Sequence, residues 1–292
     1  MTVVGGQGIL NISDQKVETV FLTLVESQST TFNVTSTQDV VFAPGAVTQY
    51  VIVDPVDGTV DNPISVTVQA KDQYGNININ YFTDVSLVTS GSATGGGVVD
   101  IASGIGTLTI SDQVAETVNL TLTDSSATGK NISSNQSVIF SAGSVTKFVI
   151  INPVDGTVDN PIPVSVEAQD QYGNKNLNYN TDVTLQSDGF SSGGGLVNIQ
   201  NGTGALYIAD TVAETVHLSL VDTFTTGKNI SSTQDVIFSA GVVTKYTILN
   251  PTDGNVDLPI LVTVQAQDQY GNRNFNYHLD VSLNTSGSAT GS

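Results

Sequence analysis

Acidic residues placed in turns are the side chains of this chain with the most chemistry to offer. Asp72-Gln73-Tyr74-Gly75-Asn76 returns at 170–174 and again at 268–272, a step of 98 residues with no insertion or deletion. In each copy the Asp can accept hydrogen bonds from backbone N–H groups two residues on, and the Gly can take positive φ, so the motif reads as a tight corner. Other carboxylates recur at the same step: Asp57 and Asp155, Asp61 and Asp159, Asp112 and Asp210, Glu116 and Glu214. If each repeat is a β-sandwich, the turn after its first strand and the turn after its fifth lie at the end that meets the next repeat. The turn after its second strand lies at the opposite end. If a repeat ends at Gly143, Asp57, Asp61, Asp112 and Glu116 would then face Asp170 and Asn174. If the next ends at Gly241, Asp155, Asp159, Asp210 and Glu214 would face Asp268 and Asn272. Hard oxygen ligands supplied by two bodies suit Ca²⁺ in about six- to eightfold coordination, and an ion there would stiffen the joint. The other reading is that these Asp and Asn residues cap turns through their own backbone. Ca²⁺ is the one cofactor to which the residues point.

Catalytic constellations are not expected. The histidines are His217, which stands where the other repeats have Phe21 and Asn119, and His278, which stands where they have Phe82 and Asn180. Neither belongs to a repeated site, so a Ser-His-Asp triad cannot recur with the repeat. The paired carboxylates lie in turns and the chain has no Trp to floor a sugar cleft, which argues against a glycosidase. Gly95-Gly96-Gly97 lacks the Lys-Ser/Thr ending of a phosphate loop and reads as a plain loop. Lysine–asparagine crosslinks are not expected either, since Lys147 and Lys245 meet Gln49 in the first repeat, and Lys130 and Lys228 meet Phe32.

Charge and composition narrow the partners. The 292 residues carry 27 acidic and 8 basic side chains, a formal net charge of −19. Such a field repels nucleic acid and anionic membrane while favouring solubility and cation binding. Without Cys there are no disulfides, thiolate metal sites or Cys nucleophiles. No apolar run approaches the ~18 residues of a membrane-spanning helix, so no membrane insertion is expected in this segment. Met1-Thr2-Val3-Val4-Gly5-Gly6 lacks the basic start and apolar stretch of a signal peptide, so targeting segments of an exported protein would lie outside this chain.

The elements that must position the acidic turns are strands. After Pro63, Ile64, Val66, Val68 and Ala70 alternate with Ser65, Thr67, Gln69 and Lys71, which gives one core face and one solvent face. The stripe returns as Ile162, Val164, Val166, Ala168 and as Ile260, Val262, Val264, Ala266. Six further strands are expected between Ala46 and Gly143: Tyr50–Val53, one around Val85 and Leu87, Val98–Ile101, one around Leu108 and Ile110, Val118–Leu122, and one around Val138 and Phe140. Seven short strands in about 100 residues with turns every ~8–12 suit an immunoglobulin-like β-sandwich. The expected fold is therefore all-β, tandem immunoglobulin-like sandwiches on a 98-residue repeat.

The valine-alternating strand that ends in Ala-x-Asp-x-Tyr-Gly-Asn (Ala70 to Asn76), followed by Asp84-Val85-Ser86-Leu87, Gly104-Ile105-Gly106-Thr107-Leu108 and Glu116-Thr117-Val118, resembles the bacterial immunoglobulin-like repeats of large surface adhesins, the invasin and intimin type. That resemblance puts boundaries at Gly45, Gly143 and Gly241. Domains 46–143 and 144–241 are then whole, 1–45 holds the last three strands of a sandwich and 242–292 the first three or four. Boundaries at the glycine-rich stretch would instead give 1–97, 98–195 and 196–292. Three readings stay open: a window from a longer array, three permuted units, or a filament in which the tail of one molecule completes the head of the next by strand complementation. Half-sandwiches leave open edges and a bare apolar face, which soluble monomers avoid. The resemblance implies an extracellular or cell-surface location. The expected function is a structural stalk or fibre whose partners are copies of itself or further repeats of the same chain. The alternative is an adhesin module that recognises a cell-surface protein or glycan through its repeated loops.

Overall fold

A computed structural model describes residues 1–29 and 31–290. Among these residues the chain is all-β, and no helix is long and apolar enough to cross a membrane. It divides into two compact units, Met1–Gly143 and Ser144–Ser292.

In the first unit the strands are β1 (Val3–Val4), β2 (Gln7–Gly8), β3 (Glu18–Thr23), β4 (Thr37–Phe42), β5 (Gln49–Ile52), β6 (Gly58–Thr59), β7 (Ile64–Lys71), β8 (Val85–Thr89), β9 (Gly97–Val99), β10 (Ile105–Ile110), β11 (Thr117–Thr123) and β12 (Gln136–Ser141). Strands β5 to β12 make two facing sheets, ordered β10-β7-β5 and β6-β12-β11-β8-β9. Antiparallel pairing opposes Ile110 to Ile64 and Leu108 to Val66 in the first sheet, and Val118 to Val138 and Leu122 to Leu87 in the second. Because side chains alternate across a strand, these pairs share the inner faces, and the core runs from Val47 to Phe140 with Val66, Val68, Val85, Val118, Leu120 and Val138 fully enclosed.

The second unit repeats the plan with β13 (Lys147–Ile151), β14 (Gly156–Thr157), β15 (Ile162–Gln169), β16 (Val183–Ser187), β17 (Gly195–Val197), β18 (Thr203–Ile208), β19 (Thr215–Val221) and β20 (Gln234–Ser239), followed by β21 (Lys245–Ile248) and β22 (Val264–Gln267). Its sheets are β13-β15-β18 and β14-β20-β19-β16-β17, around a core from Val145 to Phe238. All seven strands expected in the repeat form. An eighth, the two-residue β6 and its counterpart β14, pairs in parallel with the last strand of its sandwich, within the stretch expected to be the turn after the first strand.

The flanks differ from the sequence expectation. Of three strands expected in residues 1–45, the last two form the hairpin β3-β4, while Gln7–Gly8 folds onto Val3–Val4. Among the described residues after 241, the strands that pair are β21 and β22, and the stretch equivalent to β16, around Val281 and Leu283, is not a strand. The reason is pairing. In the whole sandwich β16 lies between β19 and β17, and β15 between β13 and β18. Of these neighbours β22, the counterpart of β15, keeps only β21, and the counterpart of β16 has no strand partner; a strand edge without a ladder leaves its N–H and C=O groups to water.

Candidate functional site

The recurring Asp-Gln-Tyr-Gly-Asn corner is held by its own carboxylate. Asp72 Oδ1 accepts from the N–H groups of Tyr74 and Asn76, each at 2.9 Å, and the Asn76 amide donates to Oδ2 at 3.0 Å. Gly75, Gly173 and Gly271 take φ of 90°, 95° and 100°, the left-handed region that L side chains rarely enter. Asp170 and Asp268 repeat the pattern with bonds of 2.9 Å to Tyr172 and Asn174, and to Tyr270 and Asn272. All three carboxylates are buried.

A carboxylate fixed in this way has lone pairs left, and it spends one on the preceding repeat. Asp72 Oδ2 accepts from Gly45 N–H at 3.0 Å, Asn78 donates its amide to Gly45 C=O at 2.8 Å, and Asn76 donates to Gln15 C=O at 2.8 Å. In the second unit Asp268 Oδ2 accepts from Gly241 N–H at 2.9 Å and Asn274 donates to Gly241 C=O at 2.9 Å. Asn272 bridges Thr211 C=O at 2.9 Å and Ala213 N–H at 3.0 Å. The corners at Asp72 and Asp268 are thus clasps that grip both polar groups of Gly45 and of Gly241. At Gly241 the clasp gains another arm, since Asp159 Oδ2 accepts from Val242 N–H at 2.8 Å. The approach is so close that a Cβ on Gly241 would lie 2.2 Å from Asp159 Oδ1, whereas on Gly45 it would meet its nearest atom, Asp72 Oδ2, at 3.4 Å.

The electrostatics follow from these bonds. The Asn76 amide above all, with the N–H groups of Gly45, Asn76 and Tyr74, outweighs burial and holds the Asp72 carboxyl down at about 2. Burial works against the charge on Asp268, yet the Asn272 amide and the N–H groups of Gly241, Asn272 and Tyr270 keep its carboxyl below the ordinary range.

The other acidic residues separate into roles. Asp57 and Asp155 accept from Ile139 N–H at 2.8 Å and Ile237 N–H at 2.9 Å on the last strand. Glu116 and Glu214 hold the loop before the fourth strand, accepting from Ser92 N–H and Phe190 N–H, each at 2.7 Å. Asp61 approaches Gly143 closely enough that a Cβ there would lie 2.2 Å from its Oδ1. Asp112 and Asp210 are buried, and each accepts through Oδ1 from the second N–H ahead, Val114 at 2.9 Å and Val212 at 2.8 Å. The structure brings Asp159 and Asp210 to one cleft with Tyr270, while Asp155 and Glu214 are bonded elsewhere. Among the described residues no three Asp, Glu, His or Cys side chains converge as a metal cage. His217 bonds Asp235 on the exposed face of its sheet.

Two kinds of residue in the clasp escape a reading of the acidic turns. Asn78 and Asn274 complete the clasp, and Gly45 and Gly241 are what it grips. Their signal lay in the repeat itself, since Asn stands at 78, 176 and 274 and Gly at 45, 143 and 241 without exception.

No family model and no curated protein matches the chain. Among solved structures, FdeC, an adhesin of Escherichia coli, is similar with a TM-score of 0.36 at 15% identity, over 68% of this chain and 68% of that one. InvD of Yersinia pseudotuberculosis is similar with a TM-score of 0.37 at 17% identity, over 78% of this chain and 72% of that one. Invasin, a bacterial integrin-binding protein, is similar with a TM-score of 0.36 at 15% identity, over 79% of this chain and 48% of that one.

Proposed function

We propose that the chain is an extracellular stalk or fibre segment of tandem immunoglobulin-like modules, extended head to tail by strand complementation with a second copy. The observation that carries this reading is the bare core face at each end. Tyr246, Ile248, Ile260 and Val281 lie 40, 55, 48 and 49% exposed, while their equivalents Phe148, Ile150, Ile162 and Val183 lie at 4% or less. Leu22 and Leu24 at the head are 36 and 50% exposed, against 0 and 5% for Leu218 and Leu220. The head holds the counterparts of β10, β11 and β12, and the tail holds those of β5, β7 and β8. Each half therefore lacks what the other carries, and joining them buries apolar surface at about 25 cal/mol per Å².

The 98-residue step fixes the register of such a join. Leu122 opposes Leu87 and Thr121 opposes Val88 in the whole sandwich, so Leu24 would oppose Leu283 and Thr23 would oppose Asn284 of the next copy. The chain has no cysteine, which makes the test clean. Thr23→Cys with Asn284→Cys should give a ladder of covalent multimers on mild oxidation, and light scattering of the unmodified chain should show mass rising with concentration. A strict monomer at all concentrations, with no multimer ladder, would remove the fibre.

A second reading, an adhesin module for a cell-surface protein or glycan, is favoured by the exposed loop rings Phe82, Phe190 and Phe224. Cell-binding and glycan-array assays on the chain, with these three changed to Ser, separate it from a pure spacer.

A further inference from the structure

The cleft where the 144–241 sandwich meets the following repeat contains a carboxylate with an oxygen that no protein group satisfies. The cleft is ≈ 260 Å³ and is lined by Asp159, Asp210, Ser192, Thr211 and Tyr270 among others. Asp210 is 3% exposed; its Oδ1 accepts from Val212 N–H, and its Oδ2 is sealed with no hydrogen-bond partner. The first sandwich repeats this, for Asp112 is 4% exposed and its Oδ2 is likewise without a partner. Buried carboxylates are ordinarily paired or hydrogen-bonded through both oxygens, because an uncompensated charge out of water is costly. One orphan would be an accident; the same orphan in two sandwiches, 98 residues apart, is part of the design.

No side-chain cation answers the charge. Among the described residues the ion pairs are Lys175 with Glu167 and His217 with Asp235, neither of which involves Asp112 or Asp210. In the first sandwich the crowding of negative oxygen goes further. The Ser92 hydroxyl lies 2.6 Å from Asp112 Oδ1 and 2.9 Å from Glu116 Oε1, and its single hydrogen can serve only one of them at a time.

We infer that the end of each sandwich takes a hard divalent cation of the Ca²⁺ class, anchored on Oδ2 of Asp112 and of Asp210. Asp159, which lines the same cleft, supplies the second carboxylate at the Asp210 site, and main-chain carbonyls and water complete the shell. Asp159 already accepts from Val242 N–H, so an ion on Asp159 and Asp210 would tie the sandwich to the first residues of the next repeat. With fewer than three carboxylates at each site, the affinity belongs with weak extracellular modules, a Kd of about 10⁻⁴ to 10⁻³ M. The inference stands apart from the fibre reading, since it concerns sites inside one chain.

Calorimetric titration of the full chain with CaCl₂ at fixed ionic strength should show about two ions bound per chain in that affinity range. Asp112→Asn with Asp210→Asn should abolish the uptake, and each single change should remove roughly half of it. Tb³⁺ supplies a second readout in the wild-type chain, independent of how well the variants fold. Tyrosine-sensitised Tb³⁺ emission should appear, be displaced by Ca²⁺ and fall in Tyr270→Phe. Absence of Ca²⁺ uptake in the wild type overturns the site, as does uptake unchanged in a folded double Asn variant. A response that NaCl reproduces at equal ionic strength is charge screening and overturns it too.

Discussion

The sandwich of residues 144–241 and the tail that follows it write nearly the same words and reach different states. Ile162 and Val164 are 4 and 0% exposed, whereas Ile260 and Val262, one repeat later, are 48 and 36% exposed. β15 runs for eight residues and its counterpart β22 for four. Local propensity cannot account for this, because the alternation Ile-x-Val-x-Val-x-Ala is identical in the two stretches. What differs is the neighbour. β15 has β13 on one side, β18 on the other and a second sheet across the core, while β22 has β21 alone. A strand pattern is thus permission to form a sheet face, and burial requires the facing layer.

Large-to-small changes should separate the sandwich from the flanks most strongly. Phe238→Ala removes a fully buried ring and should cost about 3–5 kcal/mol in chemical denaturation. Phe42→Ala, at the equivalent but half-buried place in the head, should cost less than about 1.5 kcal/mol in the dilute chain. Under conditions where copies join, the second cost should climb toward the first, and an unchanged Phe42 value there would count against complementation.

The two joints give a smaller contrast. Gly241→Ala forces a Cβ to within 2.2 Å of Asp159 Oδ1 and should destabilise by about 1–3 kcal/mol in urea unfolding. Gly45→Ala meets Asp72 Oδ2 at 3.4 Å, an ordinary contact, and should change stability by less than about 0.5 kcal/mol. Asn274→Ala removes one bond to Gly241 C=O and should cost about 0.5–1.5 kcal/mol. Hydrogen exchange at the Val242 and Gly241 amides should rise with it.

Acid sharpens the clasp further. The Asp72 carboxyl is depressed from 3.8 to about 2, so its contribution is complete above the unfolded value and is lost as pH falls through the folded one. Thermal midpoints of the first unit should therefore decline between about pH 4 and pH 2, and Asp72→Asn should remove that part of the slope. Asp124 and Asp222 are also held low, chiefly by the N–H groups of Thr128 and Thr226, and their loops should loosen by the same sign in the same direction of pH.

Much of the fold was legible because its signals are local. Alternation marked all seven strands of the repeat, and Asp72, Gly75 and Asn76 marked a corner whose hydrogen bonds and φ match the turn chemistry. β6 was not legible, since two residues paired in parallel carry no alternation. The site was legible only in its residue types. Asp155 and Asp159 stand four residues apart and read alike, yet one holds the last strand and the other the next repeat. Their difference lies in which backbone N–H comes near, and no spacing rule states that.

Residue type and interval were enough to set the length of the repeat, the strands, the acidic corners and a chain that is short of cations. The tertiary structure alone decided which strands share a core, that Asp72 and Asp268 reach back to grip Gly45 and Gly241, and that Asp112 and Asp210 bury one oxygen without a partner. The physical reason is range. Turns and strand faces are set by neighbours along the chain, whereas burial and hydrogen-bond completion depend on groups that only folding brings within about 3 Å.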